Sequence, residues 1–237
     1  MKLYEEGTEI LGKRRKGLYP DGVAGGCAHA CRGLGGIAAC PQMEQGPRRR
    51  VQCAANLRQL GAALSLYAGD WEGRLPDCTR ANPGFFGSKW PWDLNINLVG
   101  EMERRGAGRK VFYCPSNAGM NDDQRWNFFR YDRTPIRVVG YGFLMNGCID
   151  VPPALWRTNL LGDGIRPPSE TELAFDATLS QRGSYDHIQG KWVDRSNHIG
   201  SRGRPLGGNI LFEDGHAQWR DFGQMRHRIF GDAVWDF

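Results

Sequence analysis

Apolar residues recur three or four positions apart through the stretch from Pro47 to Asp70, and this spacing predicts an amphipathic helix. Pro47 suits the first turn, where its missing N–H costs no hydrogen bond. Gly69 and Asp70 suit the end of a helix. We therefore predict a helix over residues 47–70, with one apolar face formed by Val51, Leu57, Leu60, Leu64 and Tyr67.

After this helix the apolar positions occur in short runs separated by turn residues, which is typical of strands. Asp214–Gly215 is a preferred hairpin dipeptide, and we expect a primed turn there, because such turns need positive φ. One helix followed by short strands indicates an α+β fold with the helix against an antiparallel sheet. The predicted strands are Arg109–Cys114 (ended by Pro115), Ile136–Gly147 (with close backbone approach at Gly140 and Gly142), Glu172–Phe175, Ile210–Phe212 and Ala217–Trp219.

Residues 1–46 differ from the rest of the chain, because glycine is dense, bulky apolar residues are few and no period holds. We predict a poorly ordered segment over 1–46 and one folded domain over 47–237. Four residues of types that bind zinc, three cysteines and one histidine, occur in the segment at loose spacing, so a zinc site there is an open alternative. They are Cys27, His29, Cys31 and Cys40.

The charge is moderately basic, with 31 Lys and Arg against 26 Asp and Glu and a formal net charge of +5. Much of the excess lies in two short runs, Lys13–Lys16 and Arg48–Arg50, which we interpret as solvated surfaces. Basic residues are not interleaved with aromatic ones on one predicted face, so no nucleic-acid partner is expected. No apolar run approaches the roughly 18–20 residues of a transmembrane helix.

Five motifs in order resemble those of one bacterial family. They are the arginine-led helix with its Asn-Leu pair (48–76), VFYCPSN (111–117), YGFLMNG (141–147), PPSETELAFD (167–176) and NILFEDGHAQW (209–219). Together they resemble the type II secretion pseudopilin-like proteins, which carry a prepilin-type cleavage and methylation motif and a processing-associated His…Asp-Gly domain. The matched positions are Cys53, Asn56, Leu57, Cys114, Pro115, Tyr141, Gly142, Asn146, Ser169, Glu170, Asp176, His198, Asp214, Gly215 and His216.

The resemblance implies a pilin-like head on a spine helix that packs against sister pseudopilin subunits or components of a secretion machinery. It implies a structural protein of the bacterial cell envelope, with no catalytic residues and no small-molecule substrate. The chain departs from the family in two ways. Fifteen residues separate His198 from Asp214, more than is usual in the family. The signal and apolar helix expected before the arginines are also missing, so membrane anchoring would require such a helix. A frameshift, a misplaced start and a divergent N-terminus remain open explanations.

The candidate cofactor is at most a metal ion. Asp176, His198, Asp214 and His216 carry carboxylates and imidazoles, and we treat them as candidates to gather around a cation or to form a polar network. Calcium, which prefers several oxygen ligands, is one possibility, with Asp194 as a further donor. The alternative is that Asp214 only forms the hairpin turn and that His198 and His187 lie in an exposed loop, in which case no cofactor is expected.

Eight tryptophans support an alternative function as a secreted carbohydrate-binding domain, because aromatic faces stack on sugars. Tryptophans also anchor cores and interfaces. No serine has the context of a nucleophile elbow, and Cys114 beside Pro115 suits a structural cysteine. The sequence therefore predicts a protein that is not an enzyme.

Overall fold

The computed structural model describes residues 45–130, 133–162, 164–190, 192–230 and 233–237. The predictions for most of the N-terminal segment, for the Cys27, His29, Cys31 and Cys40 zinc candidate and for the first basic run fall on residues 1–44, which lie outside the described residues. Within the described part, helices and antiparallel sheets form an α+β architecture, as predicted.

Helix α1 spans Gln45–Asp70, in agreement with the predicted 47–70. Leu57, Leu60 and Leu64 are fully buried and Tyr67 is nearly so, which confirms most of the apolar face. Val51 was wrongly assigned to that face, because it is 67% exposed. Six positions separate Val51 from Leu57, and at 3.6 residues per turn this offset turns Val51 away from the sheet.

The sheet under α1 has four antiparallel strands in the order β4–β5–β7–β8, with β4 at Tyr141–Phe143, β5 at Glu172–Asp176, β7 at Gly207–Phe212 and β8 at Ala217–Asp221. Every residue of β5 and β7 is buried. Gly61 lets α1 approach β7 closely, because a Cβ there would lie 3.0 Å from the Leu211 side chain. The helix therefore covers the centre of the sheet.

Two smaller antiparallel sheets complete the described part. One has the order β1–β3–β2 (Asp93–Asn95, Pro135–Val138 and Phe128–Phe129), and the other the order β6–β10–β9 (Leu179–Ser180, Ala233–Asp236 and His227–Phe230). Helix α2 covers Ile96–Arg104, capped by the side chain of Asn95, and α3 covers Asp123–Trp126. Stacked rings join the sheets: Trp92 lies 4.4 Å from Trp235, between ring centroids.

Three strand predictions need correction. Residues 109–112 form a 3-10 helix that buries Phe112, so the predicted strand ending at Pro115 is wrong. The apolar run 136–147 forms β3 and β4 in different sheets, because the chain changes sheets at Val139–Gly140. The β7–β8 hairpin is confirmed, but Gly215 has a φ of +87° while Glu213 and Asp214 have no positive φ. This is the three-residue loop with a left-handed glycine rather than a primed turn.

None of the helices in the described residues combines the length and the apolar content that crossing a membrane requires.

Candidate functional site

Four metal-binding side chains meet beneath α1. We call them the buried cluster: Cys53, Cys114, Asp176 and His198. None is more than 6% exposed, and one ligand atom from each lies within 4.8 Å of the others. Buried charged groups need partners, and here the partners come from within the cluster.

Each member is held by a different element. Cys53 lies one helical turn before Leu57, on the face of α1 that meets the sheet. Cys114 caps the 3-10 helix Pro115–Met120, and Asp176 is the last residue of β5. His198 lies in the loop before β7 with a φ of +51°, an uncommon conformation for a residue with a side chain. Its backbone N–H donates to Ser116 Oγ at 2.8 Å, which fixes the turn that directs the ring inward.

The contacts inside the cluster are short. Cys53 Sγ lies 2.9 Å and 3.2 Å from the two carboxylate oxygens of Asp176. His198 Nε2 lies 3.2 Å from Asp176 Oδ2 and 3.3 Å from Cys114 Sγ. The single nitrogen Nε2 therefore faces both a carboxylate and a sulfur.

Neutral donors surround the cluster. Asp176 Oδ2 accepts the backbone N–H of Asn209 at 2.7 Å, and Asp176 Oδ1 accepts Asn197 Nδ2 at 2.9 Å. A hydroxyl lies beside each sulfur: Tyr141 Oη is 3.3 Å from Cys53 Sγ, and Ser116 Oγ is 2.9 Å from Cys114 Sγ. These groups can stabilise negative charge on the carboxylate and on both sulfurs.

The electrostatics follow from burial and proximity. Burial acts to lower the pKa of His198, but the neighbouring Asp176 carboxylate and Cys114 outweigh it and raise the pKa to about 10. Burial likewise acts to raise the pKa of Asp176, and the charge and hydrogen bond of His198 bring it below its usual value. Burial is also the main cause of the strongly raised pKa of the Cys53 thiol. Asp176 and His198 thus form an ion pair beside two sulfurs.

The arrangement is not that of a Cys-His-Asp catalytic triad. In a triad the base takes the nucleophile's proton on one ring nitrogen, while the acid holds the other nitrogen. Here Cys114 and Asp176 both contact Nε2 of His198. Cys114 is also almost completely buried. The four side chains are placed so that all of them could bind one atom between them. This arrangement fits the geometry better than proton transfer through the imidazole does.

The predicted metal ligands divide into two places. Asp176 and His198 meet as predicted, although His198 is buried and not in an exposed loop. Asp214 and His216 do not join them, because they pair with each other in the exposed turn between β7 and β8, with Asp214 Oδ1 2.6 Å from His216 Nδ1. Asp194 is mostly exposed, and its Oδ2 lies 3.4 Å from Nη2 of Arg125. The predicted set of calcium ligands therefore does not assemble.

Several other motif positions lie around the cluster. Asn56 donates to the backbone oxygen of Tyr113 at 3.0 Å, and Pro115 begins the 3-10 helix after Cys114. Gly142 lies under the ring of Phe175, where a Cβ would come within 2.4 Å of a ring carbon. Leu57 is in the core. Four motif positions lie away from the cluster. The Asn146 side chain donates a hydrogen bond to Asp77 Oδ1, and Gly215 lies in the hairpin turn. Ser169 and Glu170 are exposed in the 3-10 turn before β5.

The sequence reasoning did not pair Cys53 and Cys114 as ligands. Both cysteines stood in recognised motifs, but their partners are 123 and 84 positions away, in Asp176 and His198. The sequence signal that could have identified the site is that Cys114, before Pro115, and His198 are both residue types that bind zinc. Asn209, whose backbone N–H donates to Asp176, is the first residue of the motif NILFEDGHAQW.

Comparisons of the chain with family models, with curated proteins and with solved structures found no match.

Proposed function

We propose that the protein is a structural, non-catalytic subunit of a pseudopilin-like type in the bacterial cell envelope. In this role α1 acts as a spine that packs against helices of sister subunits or of secretion-machinery components. The observation that carries the proposal is the outer face of α1, which the head leaves uncovered.

That outer face has an apolar stripe at helical spacing. Val51 is 67% exposed and Leu66 is 57% exposed, and both lie on the side of α1 away from the sheet. Ala62 is exposed between them, and the half-buried Ala55 continues the stripe. Small and apolar residues at a helix surface permit close approach of another helix. We call these four residues the outer stripe.

The motif resemblance gives the second support. Motif positions that are far apart along the chain, among them Cys53, Cys114, Tyr141 and His198, lie together around the buried cluster. The envelope location and the sister-subunit partners are taken from the family resemblance.

The test is photo-crosslinking in the bacterium that makes the protein. A photoreactive amino acid at Ala62, in the outer stripe, is expected to crosslink to another subunit, whereas the same group at exposed Glu170 is not. Leu66→Arg should abolish the Ala62 crosslink without changing the melting temperature, because more than half of the Leu66 surface is exposed. Equal crosslinking from Ala62 and Glu170, or none from Ala62, would contradict the proposal.

The carbohydrate-binding alternative has less support. Trp90, Trp92, Trp126 and Trp235 are buried, so they serve the core. The ring of Trp219 is covered by the Arg50 guanidinium at 4.1 Å. Trp71 and Trp192 are the exposed indoles, and each already packs on an aromatic neighbour, Tyr67 and Phe128 respectively.

A further inference from the structure

We propose that the buried cluster is a structural zinc site, in which two thiolates, one imidazole and one carboxylate bind Zn²⁺ in a tetrahedron. Thiolate, imidazole and carboxylate are the ligands that zinc takes in proteins, and sites with four protein ligands are structural. This inference does not depend on the proposed function.

The distances fit one ion between the four ligands. Zinc lies about 2.3 Å from sulfur and about 2.0–2.2 Å from nitrogen and oxygen, so neighbouring ligand atoms of a tetrahedral site are about 3.3–3.8 Å apart. Three separations in the cluster measure 3.2, 3.2 and 3.3 Å, at or just below the short end of that range: Cys53 Sγ to Asp176 Oδ2, Asp176 Oδ2 to His198 Nε2, and His198 Nε2 to Cys114 Sγ. All the remaining separations are within 4.8 Å.

The atoms that surround the cluster have the chemistry of an outer ligand shell. The hydroxyls of Tyr141 and Ser116 lie beside the two sulfurs, and the N–H groups of Asn197 and Asn209 donate to Asp176. Such groups orient ligands and stabilise their charge in metal sites. The N–H donors also serve the Asp176 carboxylate without a metal, whereas the hydroxyls beside the two sulfurs are suited to the charge of metal-bound thiolates.

Loading balances as an exchange of protons for the metal. The two thiols and the imidazolium release three protons to solvent as two Zn–S bonds and one Zn–N bond form, and the carboxylate binds directly. A groove of about 410 Å³ runs beside α1 and reaches Asn56 and Cys114, which provides an entry route. Because the ligands come from α1, the Cys114 loop, β5 and the His198 loop, the bound ion would tie the helix to the head.

The experiment measures zinc in the full-length, untagged chain. Cys27, Cys31 and Cys40 are first replaced by serine, so that any bound zinc reports on the described residues. This background protein, made in zinc-supplemented medium, should hold about one zinc per chain by elemental analysis. Cys114→Ser should lose the metal, whereas the matched control Cys148→Ser, a buried cysteine outside the cluster, should keep it.

Cobalt substitution keeps the test decisive if Cys114→Ser does not fold. The background protein loaded with Co²⁺ should show the visible bands of tetrahedral cobalt and charge-transfer absorption from two thiolates. Retention of zinc by a folded Cys114→Ser variant would overturn the proposal, as would the absence of both zinc and a tetrahedral cobalt spectrum in the background protein. A disulfide between Cys53 and Cys114 in protein purified under reducing conditions would also overturn it.

Discussion

Asp93 is a carboxyl group placed inside the core. It lies on β1 and is fully buried, and the Trp90 backbone and the charge of Arg130 both act on its carboxyl group. Burial raises its pKa to about 8, and the Trp90 backbone and the positive charge of Arg130 offset this effect only in part. A charged carboxylate at this position therefore destabilises the folded protein.

Asp93→Asn should remove a pH-dependent loss of stability. The unfolded carboxyl titrates near a pKa of about 3.9. Between that value and about 8, the folded state binds a proton that the unfolded state has lost. Stability should therefore fall as pH rises through this window, by on the order of a few kcal/mol, and then level off. Urea unfolding at pH 5 and pH 8.5 should show this loss in the parent and a smaller one in Asp93→Asn.

Glu103→Gln is the surface control, because Glu103 is exposed on α2 and its substitution should leave the pH dependence of the parent intact. If the free energy of unfolding of Asp93→Asn falls with pH as steeply as that of the parent, Asp93 is already charged in the folded state at pH 5.

At the scale of elements, α1 separates two kinds of apolar residue. Leu60 is fully buried against the sheet, whereas Val51 is mostly exposed on the outer stripe. Both are aliphatic residues of the same helix, so they form a matched pair. The difference between them lies in what each side chain contacts and not in helix propensity.

Leu60→Asp should destabilise the protein by more than about 3 kcal/mol, because it leaves a cavity and buries an unpaired carboxylate. Val51→Asp should stay within about 0.5 kcal/mol of the parent, because the new side chain remains in solvent. Chemical denaturation of the two variants measures both values. Similar losses in the two variants would mean that α1 does not pack on the sheet through Leu60.

Local patterns predicted the elements whose signals are local. The face of α1 and the β7–β8 hairpin follow from spacing and from a turn dipeptide within a few residues. The run 136–147 was predicted as one strand because apolar content does not show that the chain changes sheets at Gly140, where a Cβ would lie 3.0 Å from the Cys114 nitrogen. Of the buried cluster, the sequence predicts only Asp176 and His198 as candidate ligands. The contacts to Cys53 and Cys114 span 123 and 84 positions, so no periodic pattern along the chain indicates them.

Across the whole described part of the chain, one apolar core joins the helix to the sheets. The buried apolar cluster runs from Cys53 to Phe237 and includes all three sheets. Residues 1–46 hold few bulky apolar side chains to offset the roughly 1–2 kcal/mol per residue that backbone ordering costs. The sequence therefore predicts that the domain folds without them.

A chain that starts at Gly46 should melt cooperatively at the same midpoint as the full-length protein. The buried cluster and the core of the described residues both lie after this position. Differential scanning calorimetry of both chains gives the comparison. A midpoint lowered by more than about 5 °C would show that the removed segment contributes to the stability of the core.

The side chain of Asn209 on β7 donates to the backbone oxygen of Arg50 on α1, across 159 positions of sequence. A ribosome adds roughly 5–20 residues per second, so about 8–30 seconds pass between the synthesis of these two residues. During that interval Leu57, Leu60 and Leu64 have no β7 to cover them. The nascent chain thus carries an uncovered apolar helix face through most of its translation, and speed of elongation sets how long chaperones and other nascent chains have access to it.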